Sequence, residues 1–335
     1  MVELTEITQR PRFSIVIPMY NEEASLPRLF TALDALIARM GERSEIVLVD
    51  DGSRDRSAEM AAARARVDPR YRYIGLSRNF GQQIAITAGL ERARGAAIIV
   101  MDADLQDPPE TVLDLIARWR EGYEIVHARR RSRAGEGVLK KLSAKLYYRF
   151  LRQLSDVDIP ADVGDFRLID RKVAETFKSM PERDRYVRGM FGWMGYRQTI
   201  VEFDRDERAE GVTKYSWSRM IRLAIDGLIS FSDVPLRMAL WIGAIVSLGA
   251  LGYGAYVIAM AMLHVKLVSG WASLAVLISL LSGINLLMTG IVGLYVGRTH
   301  RESKQRPLYI VARDTGEAES LSMTEVFAME AQVGR

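Results

Sequence analysis

The chain has 335 residues, with 46 Lys and Arg against 42 Asp and Glu for a formal net charge of +4, and no cysteine. That length can hold a sizeable core and more than one domain, and the lack of Cys excludes disulfide scaffolds, thiolate metal sites and cysteine nucleophiles. The three histidines, His127, His264 and His300, have no metal-ligand or triad partner nearby in sequence and read as surface or interface residues. Basic residues crowd 128–149 and 298–306, a pattern that suits phosphate or anionic lipid rather than duplex DNA, so no nucleic-acid partner is expected. The first ten residues, M-V-E-L-T-E-I-T-Q-R, carry acids and no apolar core, and predict no signal peptide.

In chain order, 13–18 (F-S-I-V-I-P) predicts a buried strand, followed by M-Y-N-E-E and an amphipathic helix to about Met40. A second strand, 45–51, closes in D-D-G-S-R-D, where Gly52 permits the turn and Ser53 or Asp55 can cap the helix that runs through Val67. A third strand covers 71–76, a helix 82–92, and a fourth strand 96–101. Strands alternating with helices argue for a doubly wound α/β fold on a mostly parallel sheet. Neither G-x-G-x-x-G nor a P-loop occurs, so a nucleotide bound here is held by side chains and a metal.

The fourth strand runs into M-D-A-D-L-Q-D-P-P-E. Ligands of open α/β sheets bind outside the carboxyl ends of the strands, and hard divalent cations take one or two carboxylates plus substrate phosphates. Asp102, Asp104 and Gln106 supply such oxygens, while Pro108 and Pro109 redirect the chain. Alone, the two acids also describe a plain surface turn.

A further strand is expected at 121–126, then a basic loop A-R-R-R-S-R-A-G-E-G and a basic helix at 138–154. Strands at 164–169 and 199–203 flank a helix at 170–179 and an aromatic, basic, glycine-rich stretch that is neither clean strand nor clean helix. Its Tyr186, Phe191, Trp193 and Tyr196 suit interfacial anchoring. Residues 216–232 predict an amphipathic helix, fit for a membrane interface or for ordinary domain packing. The stretches 238–263 and 271–297 contain no charged residue, and each exceeds the roughly 20 residues that cross a bilayer. Arg237 precedes them and Arg298, Arg301, Lys304 and Arg306 follow, so the positive-inside rule puts both ends in the cytoplasm. Gly293-x-x-x-Gly297 and Asn285 are candidate interhelical contacts. Residues 307–312 are β-prone and fit a strand added to this sheet or to a neighbour's, which makes a homo-oligomer, with a tetramer as first guess, an expectation.

Taken together, I-V-I-P-M-Y-N-E-E, L-V-D-D-G-S-R-D, L-S-R-N-F-G, M-D-A-D-L-Q-D-P-P-E, G-D-F-R-L-I-D and E-G-V-T-K-Y-S resemble family 2 glycosyltransferases with a GT-A fold. The nearest subgroup is the polyprenyl-phosphate glycosyltransferases, which include dolichyl-phosphate mannose synthase and the bacterial GtrB-type glucosyltransferases. The resemblance runs in order from Phe13 to Ala312. It implies a GT-A domain over 1–214, an interfacial helix over 215–236, a two-helix hairpin over 237–298 and a tail over 299–335.

The resemblance further implies that Pro18, Tyr20, Asn21 and Glu22 line a nucleotide-base pocket, with Asp50, Asp51 and Ser53 toward base and ribose and Asn79 beside them. Asp102, next to Ala103, would with Asp104 and Gln106 hold Mg2+ or Mn2+ on a donor diphosphate. Arg129, Arg208 and Lys214 match basic positions that grip the donor diphosphate or an acceptor phosphate. Asp165 stands where a family base lies, or only positions an arginine or sugar hydroxyls. Gln82-Gln83 replaces the more usual Gly-Lys or Gly-His. The implied activity is inverting transfer of a hexose, glucose from UDP-glucose foremost, to undecaprenyl or a similar polyprenyl phosphate at the cytoplasmic face of a bacterial inner membrane, with a flippase as a later partner. Mannose, aminoarabinose and N-acetylhexosamine donors stay open, as does a non-catalytic scaffold. A processive synthase is disfavoured, since no Q-x-x-R-W occurs.

Overall fold

The computed structural model describes residues 10–131, 163–183, 185, 187–204, 234–263 and 270–316, in two compact units. The first is an eight-stranded sheet with helices on both faces. Its strands are β1 (Phe13–Met19), β2 (Ser44–Asp50), β3 (Tyr71–Leu76), β4 (Ala97–Val100), β5 (Ile125–Arg130), β6 (Val163–Asp170), β7 (Gln198–Phe203) and β8 (Val311–Asp314), in the order β7-β5-β6-β4-β1-β2-β3-β8. β4, β1, β2 and β3 run parallel, as do β5 and β7; β6 is antiparallel to both β4 and β5, and β8 is antiparallel to β3.

The strand residues sort by the period of two. On one face Phe13, Ile15, Ile17, Ile46, Leu48, Ala97 and Ile99 pack with α1 (Leu26–Met40), α2 (Ser57–Val67) and α4 (Thr111–Arg120). On the other, Val16, Val47, Val49, Ile98 and Val100 meet α3 (Gln82–Arg92), α5 (Arg171–Ser179) and α6 (Val187–Trp193). Both faces of the central strands are therefore covered, which is why these strands are continuous apolar runs. The approach of α3 is close enough that a Cβ on Gly89 would stand 2.2 Å from Val16 Cγ1.

Three expectations are corrected here and a fourth is narrowed. The predicted strand at 121–126 lies later, at Ile125–Arg130, because Ala128, Arg129 and Arg130 are captured by pairing with β6 on one side and β7 on the other. His127 is not at the surface: it is 1% exposed, its Nε2 lies 2.9 Å from Gln198 Oε1, and burial beside the Arg167 charge pushes it down to about 4, so it is neutral. The aromatic stretch forms α6, whose Phe191 is fully buried and stacks on Phe177 rather than anchoring at an interface, while Trp193 does stay exposed. The helix after D-D-G-S-R-D begins at Ser57, and of the two residues expected to cap it only Asp55 does so, its carboxylate accepting the Ser57 N–H, while Ser53 Oγ accepts the Asn21 N–H instead.

The post-hairpin strand pairs with the chain's own sheet. β8 on β3 begins four residues and ends two residues later than expected, and Asp314, 1% exposed in its side chain, accepts Arg72 Nε at 2.8 Å and Nη2 at 2.7 Å and is ion-paired with Arg92 Nε 3.3 Å away. Tyr309 donates to Glu91 and accepts from Arg92 on α3, and Ser77 N–H donates to Ile310 O.

The second unit holds α7 (Val234–Met262) and α8 (Trp271–Ser303), with 29 and 33 residues. At about 1.5 Å per residue both exceed the roughly 30 Å hydrocarbon core of a bilayer. Leu240, Trp241, Leu248 and Leu251 of α7 and Leu286 and Leu287 of α8 face outward. So large an apolar surface marks a membrane interaction, and the chain is membrane-associated. A Cβ on Gly293 or Gly297 would meet nothing within 4 Å, and Asn285 Oδ1 accepts from Thr289 of its own helix. Neither expected interhelical contact is therefore formed among the described residues.

Candidate active site

The turns that leave β1, β2, β3 and β4 all open at the carboxyl edge of the parallel strands, and they are tied to one another before any ligand arrives. Asn21 adopts φ 55°; its N–H donates to Ser53 Oγ at 2.9 Å, and its Oδ1 accepts the Arg54 N–H at 2.8 Å. Asn is among the few residues that tolerate this backbone region, because its short amide hydrogen-bonds locally. The next residues continue the lacing: Glu22 N–H donates to Ser57 Oγ, Glu23 N–H to Asp55, and Arg56 N–H to Glu23. Gly52, at φ 70°, lets the second turn lie against the third, since a Cβ there would stand 2.5 Å from the carbonyl carbon of Arg78 and 2.8 Å from Asn79 N.

The two acids that close β2 support these turns from beneath. Asp50 accepts the Ser53 N–H at 3.0 Å and the Tyr73 hydroxyl at 3.2 Å. Asp51 accepts the Phe80 and Gly81 N–H groups at 2.7 and 2.8 Å. Burial pushes Asp51 above the ordinary carboxylate value despite those two donors, with the neighbouring Asp50 charge adding to the rise. Both acids are buried, as is Pro18, whereas Tyr20, Asn21 and Asn79 are exposed at the mouth of the turns.

The fourth turn carries the acid pair. Ala103 is buried and holds the turn against the core, Leu105 takes φ 56°, and the half-buried Asp104 accepts the Gln106 N–H at 3.0 Å. Asp107, buried below, accepts the Asp102 N–H at 3.2 Å. Across the opening, Glu22 is raised above its ordinary value, first by burial and then, against a hydrogen bond from Ser25, by the charges of Asp104 and Asp55. Glu22 and Asp104 therefore feel each other's field, and the mouth of the site is an anionic, oxygen-rich region. Among the described residues no group of three His, Asp or Glu side chains could hold a metal unaided. Two carboxylates in one turn fit a hard cation whose remaining ligands come from substrate phosphate and water.

A second cluster lies on β6 around Asp165, which the resemblance marks as a base or as a residue that positions an arginine or sugar hydroxyls. Asp165 is buried and receives Arg188 Nε at 2.9 Å, Arg188 Nη2 at 3.2 Å and Gln83 Nε2 at 3.0 Å. Arg167, fully buried, stacks 5.0 Å from the Phe191 ring and bonds the carbonyls of Gly164 and Asp165. The adjacent Gln82 donates to Asp102 Oδ1 at 2.8 Å. The Gln82-Gln83 pair thus bridges the acid turn to the β6 cluster. Its signal in the sequence was only the departure from the usual pair; Arg188 had none beyond its basic neighbourhood. Arg129, expected on phosphate, is ion-paired to Glu202 of β7. Arg208 and Lys214 lie outside the described residues.

Residues 14–177 match the model of glycosyl transferase family 2. The "Uncharacterized glycosyltransferase YkcC" of Bacillus subtilis is 46% identical over 305 residues, covering 91% of this chain and 94% of that protein. The chain belongs to glycosyl transferase family 2. The "Prophage bactoprenol glucosyl transferase homolog" of Escherichia coli is 39% identical to this glycosyltransferase, covering 90% of it and 99% of the relative. The "Bactoprenol glucosyl transferase" of Shigella phage SfV is 37% identical with the same two coverages. The α/β sheet of this family 2 enzyme is accordingly the GT-A fold that its motifs implied.

Proposed function

We propose that this glycosyltransferase moves glucose from UDP-glucose to undecaprenyl or a similar polyprenyl phosphate, with inversion at the anomeric carbon. One observation carries the reading. The matches to bactoprenol glucosyl transferases cover 90% of the chain, so they extend past the family domain through α7 and nearly all of α8. A soluble acceptor gives no reason for such an extension, whereas a lipid acceptor does. The apolar helices tether the site to the bilayer and raise the local concentration of the acceptor.

In this reading Tyr20, Asn21, Ser53 and Asn79 bind the nucleoside, on turns braced by Pro18, Glu22, Asp50 and Asp51. Asp102, Asp104 and Gln106 would hold Mg2+ or Mn2+, which when bound offsets charge on the departing diphosphate as a Lewis acid. An oxygen of the acceptor phosphate forms the new bond to the anomeric carbon as the bond to the nucleoside diphosphate breaks. A phosphate monoester with a second pKa near 6 is largely dianionic at neutral pH, so this attack requires no general base. Arg208 and Lys214 are assigned to the phosphates, and Arg129 joins them on exchanging its ion pair with Glu202 for phosphate. The basic residues flanking the hairpin support a topology with the catalytic unit and both ends in the cytoplasm. The product therefore needs a separate flippase before use outside. With β8 on its own β3, a homo-oligomer would have to form by other surfaces, and light scattering of the purified protein tests it against the working number of four copies.

The test uses full-length protein in detergent with Mn2+ or Mg2+, undecaprenyl phosphate and a panel of nucleotide sugars, the lipid fraction being read by mass spectrometry. A phosphodiester-linked hexose formed from UDP-glucose alone, and lost in Asp104→Ala by about 100-fold or more, is the expected result. Nucleotide binding with no lipid product from any donor overturns it.

A further inference from the structure

The cluster on β6 has a direction. Arg167 pairs with Val100, the last residue of β4, so the antiparallel register carries Asp165 past the end of that strand to the level of the Asp102 turn. The order of the sheet, β6-β4-β1-β2-β3, then sets an axis. Asn79, Ser53 and Asn21 stand on the turns after β3, β2 and β1, Asp102 and Asp104 follow on β4, and Asp165 with Arg188 lies one strand further. A donor with its nucleoside over the first three turns and its diphosphate at the acids leaves the transferred sugar and the acceptor at the β6 end.

What stands there is suited to an anion. One carboxylate, Asp165, is shared by two guanidiniums, those of Arg188 and Arg167. Arg167 is buried in the core, but the Arg188 side chain is 34% exposed. Its planar head is held through Nε and Nη2 by the two Asp165 oxygens, one of which Gln83 also engages. A guanidinium fixed in this way is preorganised for a phosphate, whereas a neutral hexose gives no reason for a buried acid and a second cation behind it. Asp165 is poorly placed as a base. Burial alone would raise it, but the Arg188 bond and charge, the Arg167 charge and the Gln83 amide outweigh burial and hold it below the ordinary carboxylate value.

We propose that Arg188 binds the phosphate of the acceptor, and that Asp165 and Gln83 are positioning residues that fix its guanidinium, with Gln82 tying this unit to Asp102. The inference rests on the phosphate-acceptor reading above and adds to it the residue that recognises the acceptor.

The experiment measures kcat and the separate KM values for UDP-glucose and undecaprenyl phosphate with full-length wild type, Arg188→Ala, Arg188→Lys, Asp165→Asn and Gln83→Ala, and UDP binding by calorimetry as a check on folding. Arg188→Ala should raise the acceptor KM about tenfold or more while donor KM and UDP affinity stay within about twofold, and Arg188→Lys should recover part of the loss. Asp165→Asn and Gln83→Ala should move the acceptor KM the same way by smaller factors, with the shape of the pH–rate profile kept. A loss of kcat in Asp165→Asn with both KM values unmoved and the acidic limb of the profile gone makes Asp165 a base and overturns the proposal. So does an Arg188→Ala effect on donor KM as large as that on acceptor KM. Wild type that turns over but is indifferent to Arg188 sinks this inference alone; wild type that forms no lipid product sinks the acceptor reading first.

Discussion

Asn21 shows how much of the half of the site proposed to hold the nucleotide depends on single side chains. Its amide spans two turns, accepting from Arg54 while its own N–H is taken by Ser53, and its φ of 55° suits few other residues. Asn21→Ala removes the amide and keeps the strained backbone, so UDP affinity should fall about tenfold, the equivalent of one well-placed hydrogen bond. Asn21→Gly relieves the backbone and separates the two effects in the same calorimetric titration. At this scale the sequence was legible in placement where the residues are contiguous, with Asp102 and Asp104 in one turn after β4 and Asn21 and Glu22 in one turn after β1. It was illegible for Arg188, which lies 23 residues from Asp165, and for Gln83, which lies 82 residues from it. No local periodicity joins groups that only strand register brings together. His127 was misread for a related reason: its burial comes from β6 and β7 on either side, not from its neighbours in sequence.

At the scale of elements, β3 and α3 were legible to the residue because an apolar strand and a helix of small and apolar residues each carry their own period. β5 was not, since A-R-R has the composition of a loop and becomes strand only between two partners. The seating of α3 can be tested directly. Gly89→Ala places a methyl against Val16 and should cost about 1–3 kcal/mol of unfolding free energy by overpacking, read by denaturant titration. The Asp314 clamp is a second test. Burial raises this carboxyl, but the Arg72 hydrogen bonds and charge, with Gly316 N–H and Arg92, hold it below the ordinary value. A depressed folded value contributes stability that is complete above the unfolded pKa near 3.9 and is lost as pH falls through the folded one. Amide exchange in β8 should therefore accelerate below about pH 4 while the central strands stay protected. At neutral pH Asp314→Asn should cost about 3 kcal/mol, the lower end for a broken buried pair because Arg72 and Arg92 keep 14% and 21% of their side chains exposed.

For the molecule as a whole, the pairing of β8 with β3 sets an order of events during synthesis. The edge of the sheet beside the nucleotide turns is closed by residues 311–314, which leave the ribosome after both apolar helices. Until then β3 is an open edge with unpaired backbone groups, the kind of surface that recruits other chains. Arg72 then has yet to meet Asp314, and Ser77, at the head of the third turn, has yet to meet its acceptor on Ile310. Completion of the catalytic unit thus waits on the helices that carry it to the lipid. A chain ending at residue 305 should enter the membrane yet fail to bind UDP and aggregate through β3, and co-expressed 306–335 peptide should restore part of the binding. Glycosyl transfer would then begin only in molecules whose membrane segment has already been made, with no separate factor needed to hold the enzyme silent beforehand.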